Sequence, residues 1–405
     1  MAPFIACIRY QTVTEQDTVN LYMPGPMVSK TSLFETTSRL ATELGALNLG
    51  QGYPTLPEPP ELLDAARRAL REQSNQYAPM RGLPELRRAI IAYYLAQQGL
   101  VVEEDEILVT SGATEGLAAC ILALVRPGDE VILVQPLYDA YLPLVERAGG
   151  RARFIDLSPP HWGFSIAALE AAITPRTRLL LLNTPNNPTG TVLDRAMLEA
   201  VGELCARHDI TLVCDEVWEA TLFGQVRHVS PLMVRTLRER TVKIGSAGKI
   251  FSLTGWRIGW VIAPPPLAAA VAAQHQFLTF ATATPLQWAV ADGLGLPATW
   301  HEARRARYLA ARDHLVQGLT EAGYRLLPSS GTWFVTVDLA QSGLEPDDVR
   351  MSERMIREAG VASIPVSAFY AVQPLTGYLR LCFAKDTGTL DQAVERLAAF
   401  RRSAA

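Results

Sequence analysis

Apolar runs alternate with stretches of helical periodicity through the middle of the chain. Five runs predict buried strands, at 107–109, 131–134, 179–182, 211–214 and 242–244. Helical patterns lie between or after them at about 114–125, 139–148, 192–208 and 265–293. Strands that alternate with helices predict an α/β fold with a mostly parallel sheet covered on both faces.

The pattern changes near residue 299. A long amphipathic helix over about 300–322 precedes a strand at 333–337, a helix near 347–359, a strand at 378–381 and a final helix. This order predicts a second, smaller α+β unit after a large domain over 60–298. Residues 1–30 have weak periodicity, and we expect them to form an N-terminal arm.

Composition limits the possible classes of function. A chain of 405 residues with 49% hydrophobic and 19% charged residues is typical of a globular protein with large cores. A net charge of −4 argues against binding to nucleic acid or a membrane surface, and no apolar run is long enough for a membrane helix. Five scattered cysteines predict reduced thiols in a cytoplasmic protein, and six dispersed histidines show no metal site.

One of the four lysines lies in unusual surroundings. Lys249 follows Ser246 by three residues and precedes Arg257 by eight, within a segment of small residues. Lysine can lose its proton and form an imine with a carbonyl group, whereas arginine cannot. A hydroxyl and a guanidinium suit a phosphate. The segment therefore predicts a pyridoxal 5′-phosphate site, with a surface lysine in a glycine-rich loop as the alternative.

Two of the predicted strands end in polar residues. Asn187 lies in the Asn-Thr-Pro-Asn-Asn-Pro-Thr-Gly stretch after 179–182, and Asp215 follows 211–214. Open α/β sheets bind ligands at the carboxyl ends of their strands. Asn187 can donate to a ring oxygen of the cofactor, and Asp215 can keep its pyridine nitrogen protonated. A plain Asn-Pro turn and a helix cap are the alternatives.

Together these motifs resemble those of the fold-type-I, class I/II pyridoxal-phosphate aminotransferases. Within that family the chain is most similar to the branch of kynurenine aminotransferase, glutamine transaminase K and bacterial methionine aminotransferase. The resemblance runs from about residue 45 to the C-terminus and also rests on segments 47–54, 75–79, 110–116, 328–334, 364–370 and 378–385. It implies the fold-type-I transferase architecture, with residues 31–59 joining 299–405 in the small domain.

Further cofactor contacts follow from the helix that begins after strand 107–109. Backbone N–H groups of Gly112, Ala113 and Thr114 at its start can bind the cofactor phosphate, although a glycine turn gives the same pattern. The resemblance implies that Tyr138 lies flat on the pyridine ring. A tyrosine of the core or rim is the alternative reading of that residue.

Substrate contacts involve residues far apart in the sequence. Arg380 lies in an apolar strand, where a cation is costly unless paired, and a substrate carboxylate would pair it. We expect Asn187 to anchor the substrate together with Arg380, and the resemblance implies that Gly52 leaves room for substrate. It also implies that Tyr77 and Phe280 reach the active site of a neighbouring subunit, so we expect a homodimer with shared active sites.

Two positions depart from the family pattern. The family has a tyrosine that donates to the cofactor ring oxygen, and this chain has Trp218, whose indole offers one N–H donor and no acceptor. After Phe280, the mammalian kynurenine enzymes carry a polar ring, whereas this chain has Ala281. Kynurenine is therefore not the substrate we expect.

The reaction we expect is transfer of the amino group of an apolar, aromatic or sulfur-containing L-amino acid to a 2-oxo acid, with Lys249 as general base and acid. A lyase or β/γ-replacement enzyme acting on a substituted amino acid is an alternative that Trp218 favours. A second alternative, a pyridoxal-phosphate-binding transcription regulator, needs a basic winged helix. The first 45 residues carry only Arg9, Lys30 and Arg39 as cations, which disfavours that class.

Overall fold

The computed structural model describes residues 33–404, so the predicted arm over 1–30 lies outside the described residues. The helices are α1 Leu33–Glu43, α2 Pro60–Glu72, α3 Pro84–Gln98, α4 Gly112–Leu124, α5 Tyr141–Arg147, α6 Ile166–Ala172, α7 Arg195–His208, α8 Ala247–Ile250, α9 Pro265–Leu278, α10 Thr284–Leu294, α11 Ala298–Glu321, α12 Asp348–Arg354 and α13 Thr387–Ala404. The strands are β1 Leu47–Asn48, β2 Ile107–Thr110, β3 Glu130–Gln135, β4 Arg151–Asp156, β5 Thr177–Asn183, β6 Thr211–Asp215, β7 Thr241–Ser246, β8 Gly259–Ile262, β9 Arg325–Leu326, β10 Phe334–Asp338, β11 Val361–Ala362, β12 Ile364–Pro365 and β13 Tyr378–Cys382.

A seven-stranded sheet forms the centre of the molecule, in the order β2-β8-β7-β6-β5-β3-β4. Strands β3 to β7 pair in parallel, and only β8 runs antiparallel to its neighbours β2 and β7. The inner strands are buried on both faces, as the continuous apolar runs predict. The predicted α/β class with a mostly parallel mixed sheet is confirmed.

All five strands predicted for the central sheet are present, but two of its seven strands, β4 and β8, were missed. Strand β4 alternates charged and apolar residues because it lies at the sheet edge and is only partly buried. Strand β8 is a short Gly-Trp-Val-Ile run next to the glycine-rich lysine segment. The single helix predicted over 265–293 is wrong, because α9 ends before 279 and α10 begins at Thr284. Between them Phe280 adopts a left-handed backbone conformation with φ of 62°.

A smaller antiparallel sheet has the order β12-β13-β10-β9, and α11 and α13 pack against each other beside it. Strand β1 pairs in parallel with β11, with Leu47 opposite Val361. This pairing joins an early segment to the C-terminal part of the chain, as the predicted small domain of 31–59 with 299–405 requires. The exact domain boundaries remain a prediction.

The central sheet gathers polar residues at one edge. Asn183 at the end of β5 lies opposite Asp215 at the end of β6, which lies opposite Ile244 of β7. Helix α4 begins two residues after β2, so its N-terminus faces the same edge. Within residues 33–404, no helix has both the length and the apolar character needed to cross a membrane.

Candidate active site

A cavity of about 160 Å³ lies at this edge of the central sheet. It brings together nine of the predicted site residues, namely Ala113, Thr114, Tyr138, Asn187, Asp215, Trp218, Ser246, Lys249 and Arg257. Four side chains that the sequence did not single out complete the lining, namely Leu117, Tyr141, Asn183 and Val217. One cavity is therefore lined by the lysine, the acid and the donors that suit a phosphate.

Lys249 lies in the short helix α8, directly after β7. Its Nζ is 4.6 Å from the ring centroid of Trp218 and 5.3 Å from that of Trp333. Burial lowers the pKa of Lys249 to about 8, while the nearby Asp215 carboxylate acts in the opposite direction. An amine with this pKa is available in its neutral form close to neutral pH, which a general base requires.

Asp215 is buried at the end of β6. Its Oδ2 accepts a hydrogen bond of 2.7 Å from the Tyr141 hydroxyl, and its Oδ1 accepts a longer one of 3.2 Å from the Val217 backbone N–H. Burial raises the pKa of Asp215 to about 6, and the Tyr141 hydrogen bond lowers it. Asp215 can therefore pair with a cation in the cavity at neutral pH, where its carboxyl group is ionised.

The opposite end of the cavity is suited to an anion. Gly112 begins α4 with φ of 78°, and a Cβ at this position would lie 2.7 Å from Nη2 of Arg257. Only glycine therefore lets the guanidinium approach the helix N-terminus so closely. Ser246 and Thr114 line the same cavity, so a guanidinium, two hydroxyls and a helix N-terminus converge.

Arg380 is only 3% exposed and lies in β13 beside this cavity. Nη1 donates to Asn187 Oδ1 at 2.9 Å and Nη2 donates to the Gly50 carbonyl at 2.6 Å, while Nε is buried without a hydrogen-bond partner in the described part of the chain. Among residues 33–404 it forms no ion pair with a carboxylate, and burial lowers its pKa to about 10. A structural salt bridge, the alternative role for a buried arginine, is therefore absent from the described part of the chain.

Gly52 and the two predicted interface residues lie outside the cavity lining. A Cβ on Gly52 would lie 2.8 Å from Cζ of Phe334, so glycine is needed for this close packing. Tyr77 is 86% exposed and Phe280 is 42% exposed, with their ring centroids 5.7 Å apart. These two residues therefore form an exposed aromatic pair on the surface of the single chain.

Three contributing residues were missed from the sequence. Tyr141 hydrogen-bonds Asp215, and Asn183 donates to the Asp215 carbonyl and accepts from the Asn187 N–H. Trp333 packs edge-on against Trp218 with ring centroids 4.8 Å apart. Asn183 ends an apolar strand, and that signal was present in the sequence, whereas the contacts of the two aromatic residues depend on packing across elements.

The family is shown by comparison with known proteins. The family model for class I and II aminotransferases matches residues 45–397, and the chain belongs to this family. The enzyme is therefore a transferase that uses pyridoxal 5′-phosphate. The resemblance to the branch with methionine and kynurenine aminotransferases is confirmed by the relatives that match.

Three curated relatives illustrate the range of substrates. A probable N-succinyldiaminopimelate aminotransferase of Mycobacterium tuberculosis is 41% identical, and the match covers 91% of this chain and 95% of the relative. The methionine aminotransferase of Escherichia coli is 42% identical, with 91% and 95% covered. Human kynurenine–oxoglutarate transaminase 1 is 33% identical, with 89% and 93% covered.

Solved structures of the two bacterial relatives match the whole fold. The Mycobacterium tuberculosis enzyme superposes with a TM-score of 0.88 at 40% identity, covering 91% of this chain and 97% of that one. The Escherichia coli enzyme superposes with a TM-score of 0.89 at 40% identity, covering 92% and 98%. The fold-type-I architecture is thereby confirmed.

The residues in the cavity fit this cofactor. Its chemistry requires a lysine amine, an acid for the pyridine nitrogen and a set of donors for a phosphate, and the cavity holds all three. The close approach of Arg257 to Gly112 provides the phosphate cradle that a Cβ would fill. Nε of Arg380 has no partner within residues 33–404, so it is a donor left for a ligand.

Proposed function

We propose that the enzyme moves the amino group of an apolar, aromatic or sulfur-containing L-amino acid to a 2-oxo acid. In this proposal Lys249 carries the cofactor, Asp215 faces the pyridine nitrogen, and Tyr138 lies against the ring. Ser246, Arg257 and the N–H groups of Gly112, Ala113 and Thr114 hold the phosphate. Asn187 and Trp218 lie beside the ring oxygen, and Tyr77 comes from the partner subunit.

Arg380 is the observation that carries the proposal. A buried guanidinium that makes no salt bridge within residues 33–404 is costly unless a ligand supplies a carboxylate, and an α-amino acid and a 2-oxo acid both carry one. Asp139 acts on Arg380 from beyond salt-bridge distance. Asn187 already accepts from Nη1, which orients the guanidinium for a two-point contact. Both half-reactions can therefore use the same anchor.

Bound pyridoxal phosphate supplies the carbonyl carbon that accepts an amino group and a cationic ring that withdraws electrons from the substrate Cα. The Lys249 Nζ takes the Cα proton and returns it, because its lowered pKa of about 8 makes both proton states accessible. Asp215, ionised above a pKa of about 6, holds the positive charge of the ring nitrogen. Asp215 is buried and Lys249 is half-buried, which limits the access of water to the proton transfer.

The preference for an apolar side chain rests on the rings around Arg380. Its guanidinium carbon lies 4.0 Å from the ring centroid of Phe334, 4.9 Å from that of Phe369 and 5.9 Å from that of Phe34. A substrate anchored there meets aromatic faces, which favour apolar and sulfur-containing groups. A distal carboxylate would be poorly solvated among these rings.

A screen of L-amino acids against several 2-oxo acids tests the proposal. Mass spectrometry would score the new amino acid, the new 2-oxo acid and any eliminated product, with Lys249→Ala as the inactive control. We expect methionine, leucine and aromatic amino acids to be donors. Turnover confined to donors with a second carboxylate, as in N-succinyldiaminopimelate, would contradict the substrate preference while leaving the amino transfer intact.

The lyase alternative depends on Trp218. Within the described residues its indole nitrogen makes no hydrogen bond, and its ring lies over Lys249. A tyrosine at this position would give the cofactor ring oxygen a donor, and a donor favours the form with negative charge on that oxygen. We expect Trp218→Tyr to shift the absorbance titration of the cofactor and to change the ratio of amino transfer to elimination. Identical titrations and ratios would remove the support for the lyase.

The proposed working unit is a homodimer. The exposed pair of Tyr77 and Phe280 forms a small aromatic surface of the kind that subunit contacts bury. In the proposed dimer this surface lies at the partner's active site. Sedimentation at assay concentration tests it, and a fully active monomer would contradict it.

A further inference from the structure

A buried group of charged side chains lies directly behind the proposed cofactor acid. Glu216 follows Asp215, and Glu219 lies one residue beyond Trp218. Lys243 of β7 extends between the two glutamates, with its Nζ 2.6 Å from Oε2 of each. Lys243 and Glu216 are both 0% exposed, so this contact is made away from water.

The ammonium of Lys243 remains charged in this setting. Burial acts to lower the pKa of Lys243, but Glu216 and Glu219 raise it above its ordinary value. His228 Nε2 lies 2.6 Å from Glu216, and the Tyr94 hydroxyl donates to Glu219 at 2.5 Å. The two carboxylates are thus satisfied by several donors, as a buried ion pair must be to be stable.

A metal ion is not needed to explain this group. Glu216, Glu219 and His228 offer ligand atoms within 4.8 Å of one another, a spacing that a metal could use. The ammonium of Lys243 already lies between the two carboxylates and supplies the compensating charge. The chain's own cation thus takes the place that a metal would take.

Trp218 lies in the turn from Glu216 to Glu219, and Lys243 contacts both of these glutamates. The Glu219 N–H donates to the Glu216 carbonyl, and the Glu216 N–H donates to the Ile244 carbonyl on β7. Lys243 therefore holds both ends of this turn, and the turn presents the Trp218 indole 4.6 Å from Lys249 Nζ. The sequence identified Trp218 as one of two positions that depart from the family pattern, but it did not indicate which residue holds this turn in place.

We propose that Lys243 is a positioning residue, whose ammonium holds the turn from Glu216 to Glu219 and thereby keeps the Trp218 indole against Lys249. The proposal rests on the proposed role of Lys249. It is tested in cofactor-free protein, so its failure would be separate from any failure of the proposed reaction.

The test removes the contacts of the Lys243 ammonium with the two glutamates without changing the net charge of the protein. Lys243→Met with Glu219→Gln deletes one positive and one negative group, and the groups that face Lys249 (Asp215, Arg257, Arg380 and Cys382) are left unaltered. The measurement is the pH dependence of Lys249 acylation, followed by mass spectrometry of the cofactor-free protein. Each titration is repeated in a Trp218→Leu background.

We expect the double change to lower the labelling midpoint of Lys249 by about half a pKa unit, because the indole face that stabilises the ammonium is no longer held in place. In the Trp218→Leu background the same change should give no further shift. The exposed pair Arg354→Met with Glu358→Gln is the matched control and should leave the midpoint unchanged in either background.

Two results would overturn the proposal. An equal shift in both backgrounds would show that Lys243 acts on Lys249 independently of the indole. An unchanged midpoint with a lowered unfolding temperature would show that the buried group serves stability alone. If the Met and Gln pair does not fold, Lys243→Gln with Glu219→Gln keeps hydrogen-bonding groups at both positions and is judged by the same two comparisons.

Discussion

The hydrogen bond from Tyr141 to Asp215 gives a prediction whose size can be worked from the structure. The Tyr141 hydroxyl is the closer of the two donors to this carboxylate, at 2.7 Å against 3.2 Å for the Val217 N–H. A hydrogen bond to a charged group contributes about 1.5–3 kcal/mol. At 1.36 kcal/mol per pKa unit, Tyr141→Phe should raise the pKa of Asp215 by about one to two units from its value of about 6.

The sign of the effect on cofactor binding follows from the protonation state. Asp215 holds the protonated pyridine nitrogen only when ionised, so cofactor affinity falls as the pH falls through the pKa of Asp215. In Tyr141→Phe the affinity should begin to fall about one to two units higher in pH than in the unchanged enzyme. Near neutral pH the variant would then bind the cofactor more weakly.

The assay is the dissociation constant of pyridoxal phosphate, measured by absorbance across a pH series. Tyr138→Phe is the matched control, because Tyr138 packs edge-on against Tyr141 and lies near Asp215, but its hydroxyl hydrogen-bonds to Thr114 and not to Asp215. Titration of the free cofactor is the same for all three proteins and cancels in the comparison. Superimposable affinity profiles for Tyr141→Phe and the unchanged enzyme would refute the reasoning.

Further variants test the two ends of the site and the assembly. Gly112→Ala should weaken cofactor binding at least about tenfold, because its φ of 78° is unfavourable for alanine and the new Cβ would displace Arg257; an equilibrium titration that finds unchanged affinity would contradict this. Arg380→Gln should lower kcat/KM on the order of a hundredfold or more for every amino acid donor, as measured by steady-state kinetics. A donor whose kcat/KM is unchanged in this variant would argue against the carboxylate anchor. If Tyr77 reaches the partner's active site, Tyr77→Ala should retain less cofactor than the unchanged protein. The measurement is the fraction of cofactor that stays bound after dilution and gel filtration, and equal fractions would contradict this role.

Much of the fold was predictable because the central strands are buried on both faces and therefore read as continuous apolar runs. Two polar residues were predicted for the same reason, Asn187 in the loop after β5 and Asp215 at the end of β6. Strand β4 was missed because it is only partly buried and mixes charged with apolar residues. The break after α9 was missed because Phe280 adopts a left-handed backbone conformation although it is not a glycine.

The supporting contacts of the site were not predictable from the sequence. Lys243 lies 27 residues beyond Glu216 and 24 beyond Glu219, and the sheet register brings them together. Trp333, just before β10, packs against Trp218 in the loop after β6, although the two residues are far apart in the sequence. Contacts of this kind depend on tertiary geometry, and neither periodicity nor motif spacing in the sequence predicts it.

Reductive labelling tests the central claim most directly. The purified enzyme is treated with borohydride, which fixes the cofactor on the amine that carries it, and the labelled peptide is identified by mass spectrometry. We predict a pyridoxyl group on Lys249 and no turnover in Lys249→Ala. A pyridoxyl group on Lys243 or Lys385 would contradict the assignment of the active site.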